Sequence, residues 1–318
     1  MQLSESTSNA LTASATKALL SKPLVGVTES DLLGTNEAGE LTLVHDGASP
    51  MVMRQRIDAL VQRLMALPGA VTDFNSRTEH VIEDGLYLRK LFIPKGQLLV
   101  GKVHLKSCMN LVLSGDITVL TEFGARRVKA GFTGASRAGI QKVGLAHEDT
   151  VFVNVFKTDK TCLPDIEAEI ATDVSMVALY PEICRSSYRL FLEELGLTES
   201  AVRAASDDMR DHVDMPQWAD DFVLKPSAIQ GQGVFSEISL RKGDFLGPAR
   251  LNKCRTLLGR RVNHSPTPNC EFVKKHGDDL WVFAKQPIAQ GDEVTVCYWQ
   301  AAQVNDLLKQ EAVCLQPS

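Results

Sequence analysis

The chain lacks the features that mark several large classes of protein. No apolar run in its 318 residues approaches the length of a membrane-spanning helix, and its first residues lack the basic and then apolar pattern of a secretory signal. Its seven cysteines include no CxxC pair, so neither a disulfide framework nor a structural zinc site is expected. These absences favour a cytoplasmic protein with reduced thiols and no membrane contact.

Composition and charge narrow the function classes. The chain is 44% hydrophobic and 23% charged, which is typical of a globular protein, and its length leaves room for two domains. A formal net charge of -5 does not favour nucleic-acid binding, and no nucleic-acid partner is expected. One short basic stretch is interpreted as a solvated loop and consists of Arg250, Lys253, Arg255, Arg260 and Arg261.

The N-terminal part is predicted to hold an arm and one helix. Residues 1–48 are rich in Ser, Thr and Ala, with weak periodicity, and are predicted to be poorly ordered. Residues 49–68 place Met53, Ile57 and Leu64 at helical spacing, which predicts an amphipathic helix that packs on a sheet or on a second subunit. A homodimer through this helix or through the β domain that follows it is one possibility, which helical periodicity alone does not show.

Short alternating stretches separated by Gly, Asp and Lys turns predict a β-barrel over residues 69–174. The spacing of KGQLLVGKVHLKSCMNLVLSG is similar to the first motif of cupins, a family of small β-barrels, with His104 and Gly115 in place. Lys102 stands where the family has its first histidine, and Cys108 stands where it has a glutamate.

The second cupin motif is weaker. Gly131 and Gly139 fit the family pattern, but Lys142 occupies the usual histidine position. A metal ion needs several convergent nitrogen or oxygen donors, which a lone His104 among lysines does not supply. We interpret the barrel as a degenerate, metal-free domain that is structural or ligand-binding, and not as a metal-dependent enzyme.

Residues 175–217 are predicted to form a helical connector. Its first helix is predicted to begin at Pro181 and to end at Gly196, and a second helix is predicted to begin after Thr198. Apolar residues recur along the first helix at helical spacing, and we interpret them as core contacts.

Three ordered motifs within residues 218–318 carry the strongest functional signal. GQGVF begins at Gly231, RRVNHSPTPN contains Asn263, and GDEV leads to Tyr298. A lone GxG is common at turns, but this order over about 70 residues resembles that of SET domains. The resemblance implies a small β domain with a pseudo-knot that brings the Asn-His-Ser segment to the terminal tyrosine.

The resemblance also implies S-adenosylmethionine-dependent methylation of a protein lysine. Tyr298 is then the catalytic residue, because its hydroxyl would orient the substrate amine. Cofactor binding is assigned to Gly231, Gln232, Gly233, Asn263 and His264. Glycine lacks the Cβ that would keep the backbone away from a cofactor. Each polar residue also has a structural interpretation, since its side chain can satisfy buried backbone groups.

The chain departs from the family pattern in two places. Only 12 residues, 247–258, stand where family members insert a longer segment that shapes the peptide groove. The zinc-bound tail of some family methyltransferases is absent, because Pro266 follows Ser265 and only Cys314 follows Tyr298. The residues after Tyr298 are predicted to form a short helix that closes the cofactor pocket instead.

Two function classes therefore stay open. The first is a compact lysine methyltransferase with an unidentified protein substrate. The second is a non-catalytic binding or assembly protein with a degenerate SET fold and a structural barrel. The predicted fold is mainly β with some α, in which a cupin-like β-barrel is followed by a helical connector and a small SET-like domain. This combination also resembles uncharacterised proteins of tailed bacteriophages and their bacterial hosts, a weak analogy for function.

Overall fold

The structure is a computed structural model that describes residues 9–11, 32–36, 39–67, 74–215, 221–275 and 277–307. The chain divides into two compact units. Unit 1 comprises residues 1–47 and 51–178, and unit 2 comprises residues 48–50 and 179–318. The five-part division made from the sequence stays a prediction; in the structure most of the predicted connector belongs to unit 2.

Unit 1 is built on antiparallel strands. In chain order they are β1 (Asn9–Leu11), β2 (Leu33–Thr35), β3 (Leu41–Leu43), β4 (Thr78–Glu83), β5 (Leu86–Ile93), β6 (Leu98–Val100), β7 (Val103–His104), β8 (Cys108–Ser114), β9 (Asp116–Thr121), β10 (Gly124–Lys129), β11 (Thr133–Ser136), β12 (Val143–Ala146), β13 (Thr150–Lys157) and β14 (Ala171–Thr172). Two five-stranded sheets have the orders β1-β6-β12-β9-β10 and β11-β8-β13-β5-β4. The strands β2 with β3 and β7 with β14 form separate pairs.

The two larger sheets share one apolar core, as the predicted barrel requires. Leu99 and Ile117 come from the first sheet, and Ile93 and Phe152 come from the second; all four are buried in one cluster. The period-2 alternation of β-branched and aromatic residues explains this arrangement, since alternate side chains of a strand face the same side. The predicted fold class, mainly β with some helices, is confirmed, and so is the predicted β-barrel in the N-terminal region.

Two helices accompany the barrel, α1 (Pro50–Ala66) and α2 (Leu163–Ile170). Helix α1 lies within the predicted range 49–68 and buries Met53, Ile57 and Leu64 along one face. Arg54 on this helix forms a buried ion pair with Glu122, with 3.4 Å between Nη2 and Oε1. Within unit 1 the helix thus contributes a buried apolar stripe and a buried charge pair, and Arg56 adds a more exposed pair with Asp46 at 2.9 Å.

Unit 2 contains both strands and helices. Its strands are β15 (Phe222–Pro226), β16 (Gln232–Ser236), β17 (Phe245–Leu251), β18 (Cys254–Arg255), β19 (Asn263–His264), β20 (Cys270–Lys274), β21 (Leu280–Ala284) and β22 (Thr295–Val296). Its helices are α3 (Met176–Leu195), which begins in unit 1, α4 (Glu199–Asp207), α5 (Leu257–Arg261) and α6 (Tyr298–Val304). Strands β18-β17-β21-β20 form an antiparallel sheet, β15 pairs with β16, and β19 pairs with β22 in parallel.

The predicted start of the connector helix is wrong, while its end is confirmed. Helix α3 begins at Met176, and Pro181 lies inside it. Ser175 explains the earlier start, because its Oγ accepts a hydrogen bond from Val177 N and so caps the first turn. Gly196 has a positive φ of 64°, as a helix-ending residue does, and Thr198 Oγ1 caps α4 by accepting from the Ala201 N–H.

Other expectations meet the structure only in part. Three short strands, β1 to β3, lie in the predicted arm, whose remaining residues are mostly outside the described ones. Among the described residues no helix is long and apolar enough to span a membrane. None of the six cysteines in those ranges forms a disulfide, and Cys314 lies outside them.

Candidate functional site

A short parallel strand pair brings two of the sequence motifs together. Asn263 aligns with Thr295 and His264 aligns with Val296 in the pairing of β19 with β22. Helix α6 begins directly after this pair, so its first residue, Tyr298, lies beside the histidine. The Tyr298 N–H donates to His264 Nδ1 at 3.1 Å, and the two ring centroids are 5.2 Å apart.

The His264 imidazole is held on both nitrogens. Nδ1 accepts from the Tyr298 backbone, so Nε2 carries the proton and donates to Ser187 Oγ at 2.9 Å. Only 2% of the residue is exposed, and this burial lowers the pKa of His264 to about 4. The ring is therefore neutral at physiological pH, and only the backbone of His264 remains for a ligand.

The stability of unit 2 should depend on pH through His264. Its folded pKa of about 4 lies below the usual 6.5, so the folded state resists a proton that the unfolded state accepts. Stability is then fully present above pH 6.5 and is lost as pH falls towards 4. Between pH 7 and 4 the free energy of unfolding should fall by about 3 kcal/mol more in the wild type than in His264→Gln.

Denaturant unfolding of both proteins across this pH range checks the prediction. Gln keeps an N–H donor for Ser187 but does not titrate, so the difference between the two curves isolates His264. Parallel curves for the two proteins would contradict a buried neutral imidazole.

Asn263 connects β19 to the loop that carries the glycine motif. Its Nδ2 lies 3.1 Å from Gln230 O, 3.3 Å from Gln232 O and 2.7 Å from Glu293 Oε1. A buried amide nitrogen needs acceptors, and these three supply them. Asn263 therefore fixes the position of the loop backbone next to Gly231.

Glu293 is a half-buried acid that sequence reasoning passed over. Its Oε2 accepts from Ser227 Oγ at 2.8 Å and its Oε1 accepts from Asn263. Burial raises the pKa of the Glu293 carboxyl, and these two hydrogen bonds partly offset the rise. Its position in the GDEV motif was visible in the sequence, but nothing there showed that it faces the glycine motif.

Position 233 requires glycine because the Glu293 carboxylate occupies the space where a side chain would lie. A Cβ built at Gly233 would lie 2.1 Å from Glu293 Oε1, far inside contact distance. The missing side chain makes room for a carboxylate, whereas the sequence led us to expect room for a cofactor. Gly231 differs, because it has a positive φ of 51° and its Cβ position meets no atom within 4 Å. Its left-handed backbone is the reason for that glycine.

A cavity of about 370 Å³ opens where these segments meet. Five of the six predicted site residues line it, namely Gly231, Gln232, Asn263, His264 and Tyr298, while Gly233 does not. The further lining residues are Arg185, Tyr188, Glu199, Val202, Arg203, Ser206, Asp207, Ile229, Gln230, Arg260, Arg261 and Val262. The structure thus brings the predicted residues to one place, and their functional roles stay predictions.

Helices α3 and α4 supply a wall that sequence reasoning missed. Arg185 and Tyr188 are three residues apart on α3, and Glu199, Val202 and Arg203 lie on one face of α4. The interpretation of this segment as a connector with core contacts does not include this wall. The signal that was available is the spacing of Glu199 and Arg203 at i and i+4 on α4, which places both charges on one face.

Tyr298 is a neutral phenol with its proton already engaged. Its hydroxyl donates to Val262 O at 2.9 Å, and burial raises the pKa of Tyr298 above its ordinary value. The rings of Tyr188 and Phe191 pack edge-on against it at centroid distances of 5.7 and 5.6 Å. Because the O–H bond points at Val262 O, the oxygen lone pairs remain available to accept a hydrogen bond.

Part of this site lies in a segment that matches a known protein family. Residues 249–299 match the family model of the SET domain. The SET region, as we call residues 249–299, includes Asn263, His264 and Tyr298, whereas the glycine motif at 231–233 precedes it. No match to the chain was found among curated proteins.

Solved structures that resemble the N-terminal region include cupins. An RmlC-like cupin from Shewanella frigidimarina is 18% identical, with 30% of this chain and 94% of that chain covered at a TM-score of 0.22. A cupin-like protein from Thermotoga maritima is 12% identical, with 31% and 69% covered at a TM-score of 0.23. At these TM-scores the barrel architecture rests on the strand pairing itself. The resemblance to phage and bacterial SET proteins stays a prediction.

The barrel positions that correspond to cupin metal ligands form no metal site among the described residues, where no group of three or more candidate ligands occurs. Lys102 Nζ pairs with Asp173 Oδ2 at 2.9 Å. His104 Nδ1 lies 3.2 Å from Lys142 Nζ and 3.5 Å from Cys108 Sγ. His104 thus has a lysine and a thiol, not further metal ligands, as its neighbours.

Proposed function

We propose that unit 2 transfers a methyl group from S-adenosylmethionine to the Nζ of a protein lysine. The observation that carries the proposal is the convergence of Gly231, Asn263, His264 and Tyr298 on one cavity, with the last three inside the SET region. The enzyme and its cofactor are inferences from the family, supported by this geometry.

The cavity suits such a cofactor in size and charge. Its volume of about 370 Å³ falls within the range of small-molecule sites. Two ion pairs line it, Arg203 with Glu199 at 3.3 Å and Arg261 with Asp207 at 2.8 Å. A ligand with both a carboxylate and an ammonium group can interact with such paired charges, since each of its charges finds a partner of opposite sign.

We assign the binding contacts to backbone and side-chain groups along the cavity. Asn263 holds the carbonyls of Gln230 and Gln232 on either side of Gly231, and the backbone of His264 is fixed by its engaged ring. When bound, S-adenosylmethionine supplies an electrophilic methyl group on a positively charged sulfur. No role in the chemistry is assigned to the His264 imidazole, because both of its nitrogens are occupied.

Tyr298 positions the acceptor amine. A lysine is nucleophilic only as the neutral amine, which has N–H donors that need an oriented acceptor. The Tyr298 oxygen is such an acceptor, since its own proton is directed to Val262 O. The aromatic rings of Tyr188 and Phe191 restrict the rotation of the phenol and keep water from its flanks.

The proposal is tested by following a labelled methyl group. Full-length protein is incubated with tritiated S-adenosylmethionine and a cell lysate, and the labelled protein is hydrolysed to amino acids. The proposal predicts label in methylated lysine. Absence of label above a boiled-protein control, or label in another amino acid, contradicts it.

A specific observation also favours the second function class. The side chains of Asn263, His264 and Tyr298 all have hydrogen-bond partners within the protein. A non-catalytic assembly module would keep the same bonds for stability alone. Failure to bind the cofactor would support this alternative. Homodimerisation through the barrel or α1 stays a prediction, which sedimentation of the purified protein would test.

A further inference from the structure

The interior of the unit 1 barrel holds a polar cluster that the proposed methyl transfer does not use. Lys142 Nζ lies 3.2 Å from His104 Nδ1 and 4.0 Å from Cys108 Sγ. The ammonium donates to the imidazole, so His104 acts as an acceptor and is neutral; burial, with Lys142 and Arg89 nearby, holds the pKa of His104 well below its usual range. The Lys142 ammonium group thus contacts His104 and Cys108 and forms no ion pair with either.

A second cation faces the same space. Arg89 lines the cavity with Lys142, and its Nη2 donates to Asn154 Oδ1 at 3.3 Å, which leaves most of its donors unused. Within the part of the chain that the structure describes, neither Lys142 nor Arg89 has a carboxylate within ion-pair distance. Burial, with a contribution from Arg89, lowers the pKa of Lys142 to about 8.

The nearby acids offset this charge only in part, since Glu122 acts on Lys142 from beyond ion-pair distance. Glu122 is bound to Arg54, and Asp173 is bound to Lys102. Glu167 lines the cavity, and among the described residues no ion pair joins it to Lys142 or Arg89. Two positive groups in a poorly solvated space repel each other, and a bound anion would relieve this cost.

The cavity has a defined size, and part of its lining is apolar. Its volume is about 90 Å³, and its wall includes Leu99, Ile117 and Phe152 from both sheets. An apolar protein cavity of about 150 Å³ accommodates benzene, so this space fits a smaller ligand. A ligand with a charged end and a short apolar end would satisfy both the cations and the apolar wall.

We propose that the barrel cavity binds a small monocarboxylate, with its oxygens between Lys142 Nζ and the Arg89 guanidinium. The lysine at the position of a cupin metal ligand then supplies, as an ammonium group, the positive charge that a metal would supply. The apolar tail of the ligand packs on Leu99, Ile117 and Phe152. This site is independent of the cavity in unit 2 and of the function proposed for it.

Acetate and methylammonium are the probes, titrated calorimetrically into the full-length protein. Acetate should bind, and methylammonium, which has the opposite charge, should not. Lys142→Met and Arg89→Gln should each weaken acetate binding by about tenfold or more, because each removes a charge-assisted hydrogen bond. Glu167→Gln should strengthen acetate binding, since it removes a negative charge from the cavity wall.

Lys90→Met is the matched control. Lys90 is the neighbour of Arg89 on β5, is exposed and pairs with Glu79 at 2.9 Å, so its loss should leave acetate affinity unchanged. Thermal unfolding of each variant verifies that it is folded. No acetate binding at tens of millimolar, binding of methylammonium instead, or equal acetate affinity in folded Lys142→Met would overturn the proposal.

Discussion

Tyr298→Phe is expected to lower kcat for lysine methylation by about 10²–10⁴-fold while leaving S-adenosylmethionine affinity nearly unchanged. The substitution removes only the hydroxyl oxygen, which we assign to the acceptor amine. The phenyl ring keeps its edge contacts with Tyr188 and Phe191, so the wall of the cavity persists. Steady-state labelling with tritiated cofactor, combined with calorimetric titration, separates the two effects.

The substitution also has a cost in stability that must be measured separately. Without the hydroxyl, Val262 O loses its partner at 2.9 Å, and an unsatisfied buried carbonyl costs about 1–3 kcal/mol. Trp299→Phe is the matched control, because it removes one N–H donor, to Glu194, from the next residue of α6, which does not line the cavity. Equal loss of kcat in both variants would remove Tyr298 from the catalytic role.

Gly233→Ala is expected to cost about 1–3 kcal/mol of stability or to prevent folding of unit 2. The backbone at this position does not have a positive φ, so the cost is steric. The added Cβ would lie 2.1 Å from Glu293 Oε1 and 3.2 Å from Asn263 Nδ2, and both atoms are held by hydrogen bonds. Moving either one breaks the link between β19 and the glycine loop. Denaturant unfolding gives the free energy.

Two comparisons separate this steric effect from a general intolerance of glycine substitution. Gly101→Ala is the control, since its nearest neighbour, Lys142 O, is 3.7 Å from the new Cβ, an ordinary contact. In the Gly233→Ala, Glu293→Ala double variant the clash with the carboxylate is gone, so the two costs should be less than additive. Additive costs would show that Glu293 is not the reason for the glycine.

The sequence predicted that Asn263, His264 and Tyr298 lie close together in unit 2, because their motifs are short and follow one another in a fixed order. Asn263 and His264 lie in a two-residue strand, and their pairing with Thr295 and Val296 follows the order that the SET resemblance implies. Tyr298 begins the next helix, so its position follows from that pairing. Such short pairs have little propensity of their own, and only the family pattern predicted them.

The sequence did not predict that helices α3 and α4 form a wall of this cavity. Arg185 and Tyr188 lie more than seventy residues before Asn263, and nothing local to α3 shows which surface it packs on. Periodicity identifies a helix face but not its neighbour. The start of α3 was missed for a related reason, since Pro181 is a stronger visible signal than the Ser175 cap that the structure uses.

The side-chain contacts inside the barrel were likewise not predictable from the sequence. Sequence comparison identified Lys102, Cys108 and Lys142 as substitutions for metal ligands, which argues against a metal. It did not show that Cys108 and Lys142 both reach His104, while Lys102 turns to Asp173. Side chains on different strands meet through strand register, which the structure fixes.

The most direct test of the central claim is a calorimetric titration of S-adenosylmethionine into the full-length protein and into a variant with a filled cavity. Val202→Trp places a large ring on a half-buried residue of the cavity wall, and Ala201→Trp places the same ring on the exposed face of α4. The account predicts one bound cofactor for the wild type and Ala201→Trp, and none for Val202→Trp. No binding to the wild type at millimolar cofactor, or equal binding to both tryptophan variants, would contradict it.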